Sequence, residues 1–161
     1  MTRRTLTTMA LLGLAVATAL PQIGFAQSNP WIGTWKANIA KSTYSPGPPP
    51  RSQTVTYQPE GQGLRLTIEA VDAQGNPTKV DFGVIFDDGK SHPVTGIPGW
   101  DAQSFKVVND STAWTIRTKA GEVVQTLTSV LSTDGKTETM TFTAVNANGQ
   151  QINNVVVREK Q

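Results

Sequence analysis

A period of two runs through most of this chain. Leu64, Leu66, Ile68 and Ala70 alternate with Arg65, Thr67 and Glu69, and Val80, Phe82, Val84 and Phe86 alternate with Lys79, Asp81 and Gly83. Trp114 and Ile116 stand against Thr115 and Arg117, and Met140, Phe142 and Ala144 against Thr139, Thr141 and Thr143. Successive side chains of an extended strand point to opposite faces, so each run predicts a strand with one buried and one wetted face. Helical spacing appears only near the start of the chain.

Asp88-Gly89, Asp134-Gly135 and Asn148-Gly149 supply the positive-φ positions of two-residue hairpin turns, which would make the flanking strands antiparallel neighbours. Gln74-Gly75-Asn76-Pro77, Asn109-Asp110-Ser111 and Lys119-Ala120-Gly121 punctuate the intervals between. The expectation is an all-β chain, a single antiparallel up-and-down β-barrel of about eight to ten strands linked as consecutive hairpins. Val71-Asp72-Ala73-Gln74-Gly75-Asn76 echoes Val145-Asn146-Ala147-Asn148-Gly149-Gln150, which reads as one hairpin chemistry used twice rather than as a repeated unit. Two stretches interrupt the meander. Ser45-Pro46-Gly47-Pro48-Pro49-Pro50 is poor in donors and rigid in φ, so it should cross outside the sheet as a stiff connector, with a proline-rich docking segment as the alternative. The second, Pro93 to Asp101, sets Trp100 among Gly96, Pro98 and Gly99.

The first residues change the count of what must fold. Arg3 and Arg4 precede an apolar run from Met9 to Leu20 that is too short to span a bilayer, and Gly24-Phe25-Ala26 offers small residues where a signal peptidase cuts. Residues 1–26 are therefore expected to be a cleaved signal peptide and residues 27–161 one domain, located in the periplasm or secreted. Of the 14 Lys and Arg, two lie in that leader, which leaves a mature chain balanced against its 12 Asp and Glu. With no basic cluster to neutralise phosphates, nucleic acid is not an expected partner. Cysteine is absent. An exported chain without disulfides must hold together by its core, and thiolate catalysis, a Cys-ligated zinc, covalent haem and a lipid anchor on cysteine are all excluded. No cofactor or metal is expected.

Several of these motifs, taken in order, resemble a known group. Gly33-Thr34-Trp35, Ser45-Pro46-Gly47-Pro48, Gln53-Thr54-Val55-Thr56-Tyr57, Asp88-Gly89-Lys90 before Pro93-Val94-Thr95-Gly96, Asp134-Gly135-Lys136-Thr137, and Asn153-Asn154-Val155 running to Arg158-Glu159-Lys160 look like the small exported bacterial lipocalin-like proteins of the calycin superfamily. The resemblance implies a barrel that holds a small molecule. It also implies that Gly33 and Trp35 mark the closed end, with the indole as a plug and Arg158 as the cation packed across it. The chain departs from the secreted animal lipocalins in lacking their disulfides and in its shorter length.

A barrel of this size is either filled by its own side chains or holds one small guest. Leu66, Ile68, Phe82, Val84, Phe86, Trp114, Ile116, Leu127, Met140 and Phe142 are the inward-facing candidates, each read either as plain core or as the lining of a site for a small apolar or amphipathic molecule. Trp100 joins them as a portal lid, or as a ring folded over the mouth to exclude water. Two rival classes stay open: a cavity-free barrel that works as a cell-envelope interaction module, and a small barrel enzyme. The enzyme reading has few parts. His92 is the single histidine, and Asp81 or Glu69 would face inward only if the register were one residue off. Gly89-Lys90-Ser91 mimics the end of a phosphate loop, but Val84 stands where its first glycine belongs. Membrane insertion is not expected either, because the outward faces carry Thr139, Thr141, Thr143, Arg65, Glu69 and Lys79 rather than an apolar band.

Overall fold

The computed structural model describes residues 29–146 and 148–161. The leader expected over residues 1–26 lies outside the described residues, and so does the side chain of Val84. The strands are β1 (Gly33–Ala37), β2 (Ser52–Glu60), β3 (Gly63–Val71), β4 (Pro77–Ile85), β5 (His92–Pro93), β6 (Ala102–Asn109), β7 (Thr112–Lys119), β8 (Glu122–Leu131), β9 (Thr137–Val145) and β10 (Gln151–Lys160). One 3-10 turn, Ile39–Lys41, follows β1. The fold is thus the single antiparallel β-barrel expected, with ten strands among the described residues.

The strands lie in the order β4-β3-β2-β1-β10-β9-β8-β7-β6-β5. Two meanders are joined where the first strand meets the last, Trp35 opposite Lys160 and Ala37 opposite Arg158. Beyond the 3-10 turn the chain rejoins β10, with reciprocal backbone bonds between Thr43 and Val155 of 2.7 and 2.9 Å and Asn153 N donating to Ser45 O at 2.7 Å. Residues 43–45 thus extend the first strand, which turns Tyr44 toward the interior while the proline run that follows stays largely exposed.

The remaining gap, between β4 and β6, is a seam rather than a ladder. Asp87 forms one parallel bridge with Phe105, its carboxylate accepts from Val107 N at 2.7 Å, and Gly89 N donates to Phe105 O at 2.9 Å. This corrects the expectation for Asp88-Gly89. Those residues do not close a hairpin between ladder neighbours; they carry the chain across the seam, and β5 pairs with β6 instead.

The loops that carry Asp134-Gly135 and Asn148-Gly149 are also longer than two residues, whereas Gly61-Gln62, Asp110-Ser111 and Ala120-Gly121 are two-residue turns. Asp72 N donates to Asn76 O and Gly75 N to Asp72 O, and the second loop repeats the pattern from Asn146 N to Gln150 O and from Gly149 N to Asn146 O. Asp72 Oδ1 further accepts from Asn76 N at 2.7 Å, as Asn146 Oδ1 does from Gln150 N at 2.9 Å. The sequence echo is one bulged hairpin used twice, with glycine at the left-handed position (φ 101° and 75°).

On β7 the expected face is reversed. Ala113, Thr115 and Arg117 face the interior, so Trp114 and Ile116 stand outside, where the Trp114 ring lies against the turn at Gly89. Ala113 is the one apolar residue of that inner face, so hydrophobicity alone favours the opposite phase. The decision comes from the polar partners that wait inside for Arg117.

Trp31, Trp35, Val55, Leu64, Leu66, Ile85, Phe105, Ala113 and Leu131 form the main core, and Ala37, Met140 and Val156 a second cluster. Trp31 and Trp35 are essentially dry, and each ring buries about 150–250 Å², roughly 4–6 kcal/mol of gross apolar transfer. Trp35 Nε1 donates to Trp31 O at 2.9 Å. The cation expected over Trp35 is corrected: Lys160 Nζ sits 5.1 Å from the ring centroid and also donates to Pro30 O at 2.8 Å. Trp35 is the register partner of Lys160, and Arg158, two residues earlier on the same face, reaches further into the barrel. Gly33 fits this arrangement, because at φ 128° a Cβ would stand 3.0 Å from Lys160 Cε.

Candidate functional site

The interior is not filled. A cavity of about 190 Å³ lies between the meanders. Leu66, Ile68, Leu127, Met140 and Phe142, five of the residues singled out from sequence, line it together with Trp31, Val55 and Val156. The others whose side chains are described are elsewhere. Phe82 and Trp100 stack at 5.4 Å beside the seam, Phe86 lies against the His92 ring at 4.7 Å, and Trp114 and Ile116 are on the outer face. Trp100 is buried, its ring folded back against the barrel.

Sequence reasoning missed the polar half of the cavity. Arg117, on β7, is 8% exposed and has no carboxylate partner among the described residues. Its Nε donates to Gln103 Oε1 and its Nη1 to Gln125 Oε1, both at 2.9 Å. Its guanidinium carbon lies 4.5 Å from the Trp100 ring centroid and 5.1 Å from that of Phe82. Burial pulls this guanidinium down to about 10, and the positive charge of Arg158 adds to the effect.

Arg158 is neutralised. Its Nη1 donates to Glu138 Oε2 at 2.9 Å in a pair whose side chains are 4% and 0% exposed, and Nη2 donates to Gln53 Oε1 at 3.3 Å. Burial alone would lower Arg158, but the charge and hydrogen bond of Glu138 carry it above its ordinary value. Arg158 Nε and Glu138 Oε1 nonetheless lack protein partners, as do Tyr44 OH and Trp31 Nε1. Tyr57 lies within the electrostatic reach of both arginines and of Glu138; burial first, then that carboxylate, push its phenol up to about 12. Glu138 had a readable signal, since it falls in phase with Met140, Phe142 and Ala144.

Two guanidinium groups against one carboxylate leave the described interior with one net positive charge. Chemically it can accept a small guest with an apolar body and one anionic group. The groups considered for acid-base work stand apart from it. Asp81 and Glu69 face outward in ion pairs with Arg65 at 2.7 Å and Lys79 at 2.8 Å, so the alternative register is not adopted. His92 Nε2 lies 3.0 Å from both carboxylate oxygens of Asp88, and the residue, opposite Gln103 in register, lines a small pocket beside the seam rather than the cavity itself. The backbone N–H of Lys90, and then His92, hold that carboxyl below its usual range. Among the described residues no group of three His, Asp or Glu comes close enough together to hold a metal ion, and no helix is long and apolar enough to cross a membrane.

No protein-family model matches the chain, and no curated protein does. Solved structures do. A protein of unknown function from the DUF3598 family of Nostoc punctiforme is similar over 83% of this chain, with 16% identity and a TM-score of 0.54. This chain spans about half the length of that protein, 48%. The zebrafish ileal bile acid-binding protein complexed with cholic acid is matched over 82% of this chain and 99% of its own, with 13% identity and a TM-score of 0.47. As-p18, an extracellular fatty acid binding protein, is matched over 83% and 97%, with 10% identity and a TM-score of 0.48. At 16% identity the likeness to the Nostoc punctiforme protein is one of fold.

Proposed function

We propose that this chain is a binding protein for a small amphipathic acid, held inside the barrel with its anionic group on Arg117. The observation that carries this reading is a dry guanidinium whose described partners are neutral, set in the wall of a cavity that is apolar on one side and polar on the other. Keeping such a charge out of water costs several kcal/mol in real proteins, and an incoming anion repays that cost with short, charge-assisted hydrogen bonds. We further propose that the protein acts in the periplasm or outside the cell after removal of residues 1–26, as one of the small exported lipocalin-like proteins that its motifs resemble.

The test is isothermal titration with phenylacetate and with phenylacetamide, which has nearly the same shape and no charge. The acid should bind tenfold or more tightly than the amide, and Arg117→Gln should remove the difference while the circular dichroism of the sheet persists. Equal affinities, or no binding of the acid, defeat the proposal. The mass of the mature protein recovered from a cell fractionation checks the cut after Ala26.

A further inference from the structure

The size of the cavity and the groups near Arg117 narrow the guest further, on the premise that Arg117 is its anchor. At about 190 Å³ the space is close to that of a dry cavity of about 150 Å³ that accommodates one benzene ring. A ring with a short substituent matches that volume; an unbranched chain of a dozen carbons exceeds it. The wall beside the anchor is not apolar. Thr115 precedes Arg117 by two residues on β7, so it shares the inner face, about 7 Å away along the strand.

Ser129, on the neighbouring β8, also lines the cavity. Ala113 is its register partner, whereas that of Thr115 is Leu127, so the two hydroxyl-bearing residues are diagonal neighbours across one strand pair. Each hydroxyl offers one donor and two acceptor sites. Leu66, Ile68, Met140 and Phe142 complete the apolar surface against which such a ring would lie.

We propose that the cavity selects a compact hydroxylated acid, its carboxylate on Arg117 and its hydroxyl between Thr115 and Ser129, and rejects unbranched lipid chains. A site that hydrogen-bonds a guest hydroxyl discriminates strongly against the analogue that lacks it.

Calorimetric titration of the full protein with phenylacetate, with the ortho, meta and para isomers of hydroxyphenylacetate, and with dodecanoate tests this. At least one isomer should bind tenfold or more tightly than phenylacetate, and dodecanoate should bind more weakly than that isomer. Thr115→Val and Ser129→Ala together should bring the ratio of hydroxylated to plain acid to about one. If phenylacetate matches every isomer, or the ratio survives both substitutions, the hydroxyl subsite is wrong while Arg117 keeps its role. If dodecanoate binds best, the size argument fails. If none of the acids binds, the reading of Arg117 falls with it.

Discussion

Replacing Glu138 by glutamine should cost more than any other single-atom change in the protein. Glu138 is 0% exposed and its partner Arg158 4%, so their charges meet out of water at 2.9 Å. Glutamine keeps the size and one acceptor but removes the negative charge, leaving Arg158 and Arg117 as two dry cations without a counterion among the described residues. Breaking a buried pair from one side typically costs about 3–5 kcal/mol. Because the Glu138 side chain retains an acceptor for Arg158 Nη1, the lower figure of about 3 kcal/mol applies here. That is a fall of roughly 10 °C in Tm for a chain of this length.

Urea unfolding followed by tryptophan fluorescence, with calorimetry alongside, measures it. The paired replacement Glu138→Leu with Arg158→Met should recover most of the loss, ending within about 1–2 kcal/mol of the starting protein, because it removes both desolvation costs together. A loss below about 1 kcal/mol for Glu138→Gln alone would show that water reaches the pair, and the electrostatic account of the interior would fail with it.

Further outcomes follow from the same geometry. Lys160→Met should destabilise by about 1–2 kcal/mol through the lost contact with Trp35 and the lost bond to Pro30 O, whereas Arg158→Met should leave the Trp35 fluorescence environment in place. The chain has two tyrosines, and the phenols of both Tyr44 and Tyr57 are raised by burial, Tyr57 to about 12. A folded value above the unfolded one means that this contribution to stability is present below pH 10 and is lost as pH climbs toward 12. Tyrosinate absorbance of the folded protein should therefore lag that of the urea-unfolded chain across this window, and coincident curves would contradict it. Trp100→Ala, which empties a dry site stacked on Phe82 and Arg117, should cost about 3–5 kcal/mol, and Trp114→Ala on the outer face clearly less. Equal losses in urea melts would restore the opposite phase for β7.

Much of the architecture was legible because the barrel is built from local rules. Period-two alternation with threonine outside predicted the β9 face correctly, and the loops at Asp72 and Asn146 could be paired as one turn chemistry from their spelling. The failures share one cause. Interior positions of this barrel accept polar residues when a polar partner stands opposite on the neighbouring strand, and a single sequence does not say which register puts it there. Arg117 reads as a solvent-facing residue until Gln103 and Gln125 arrive from β6 and β8, and its inward turn sends Trp114 and Ile116 outside. The Trp35 cation was misplaced by two residues, a shift that preserves the face and so leaves no trace in the alternation pattern.

The residues alone therefore determined the class of fold, the antiparallel pairing within the β2–β4 and β6–β10 meanders, and most of the apolar wall, since each depends on neighbours close in the chain. Tertiary structure decided what is remote in sequence: the pairing of first strand with last, the seam crossed at Asp87, and the unneutralised charge of Arg117 in its cavity. Those features arise from closure, which sets residues tens of positions apart within a few ångströms, in a dry interior where charge and hydrogen bonding outweigh local preference.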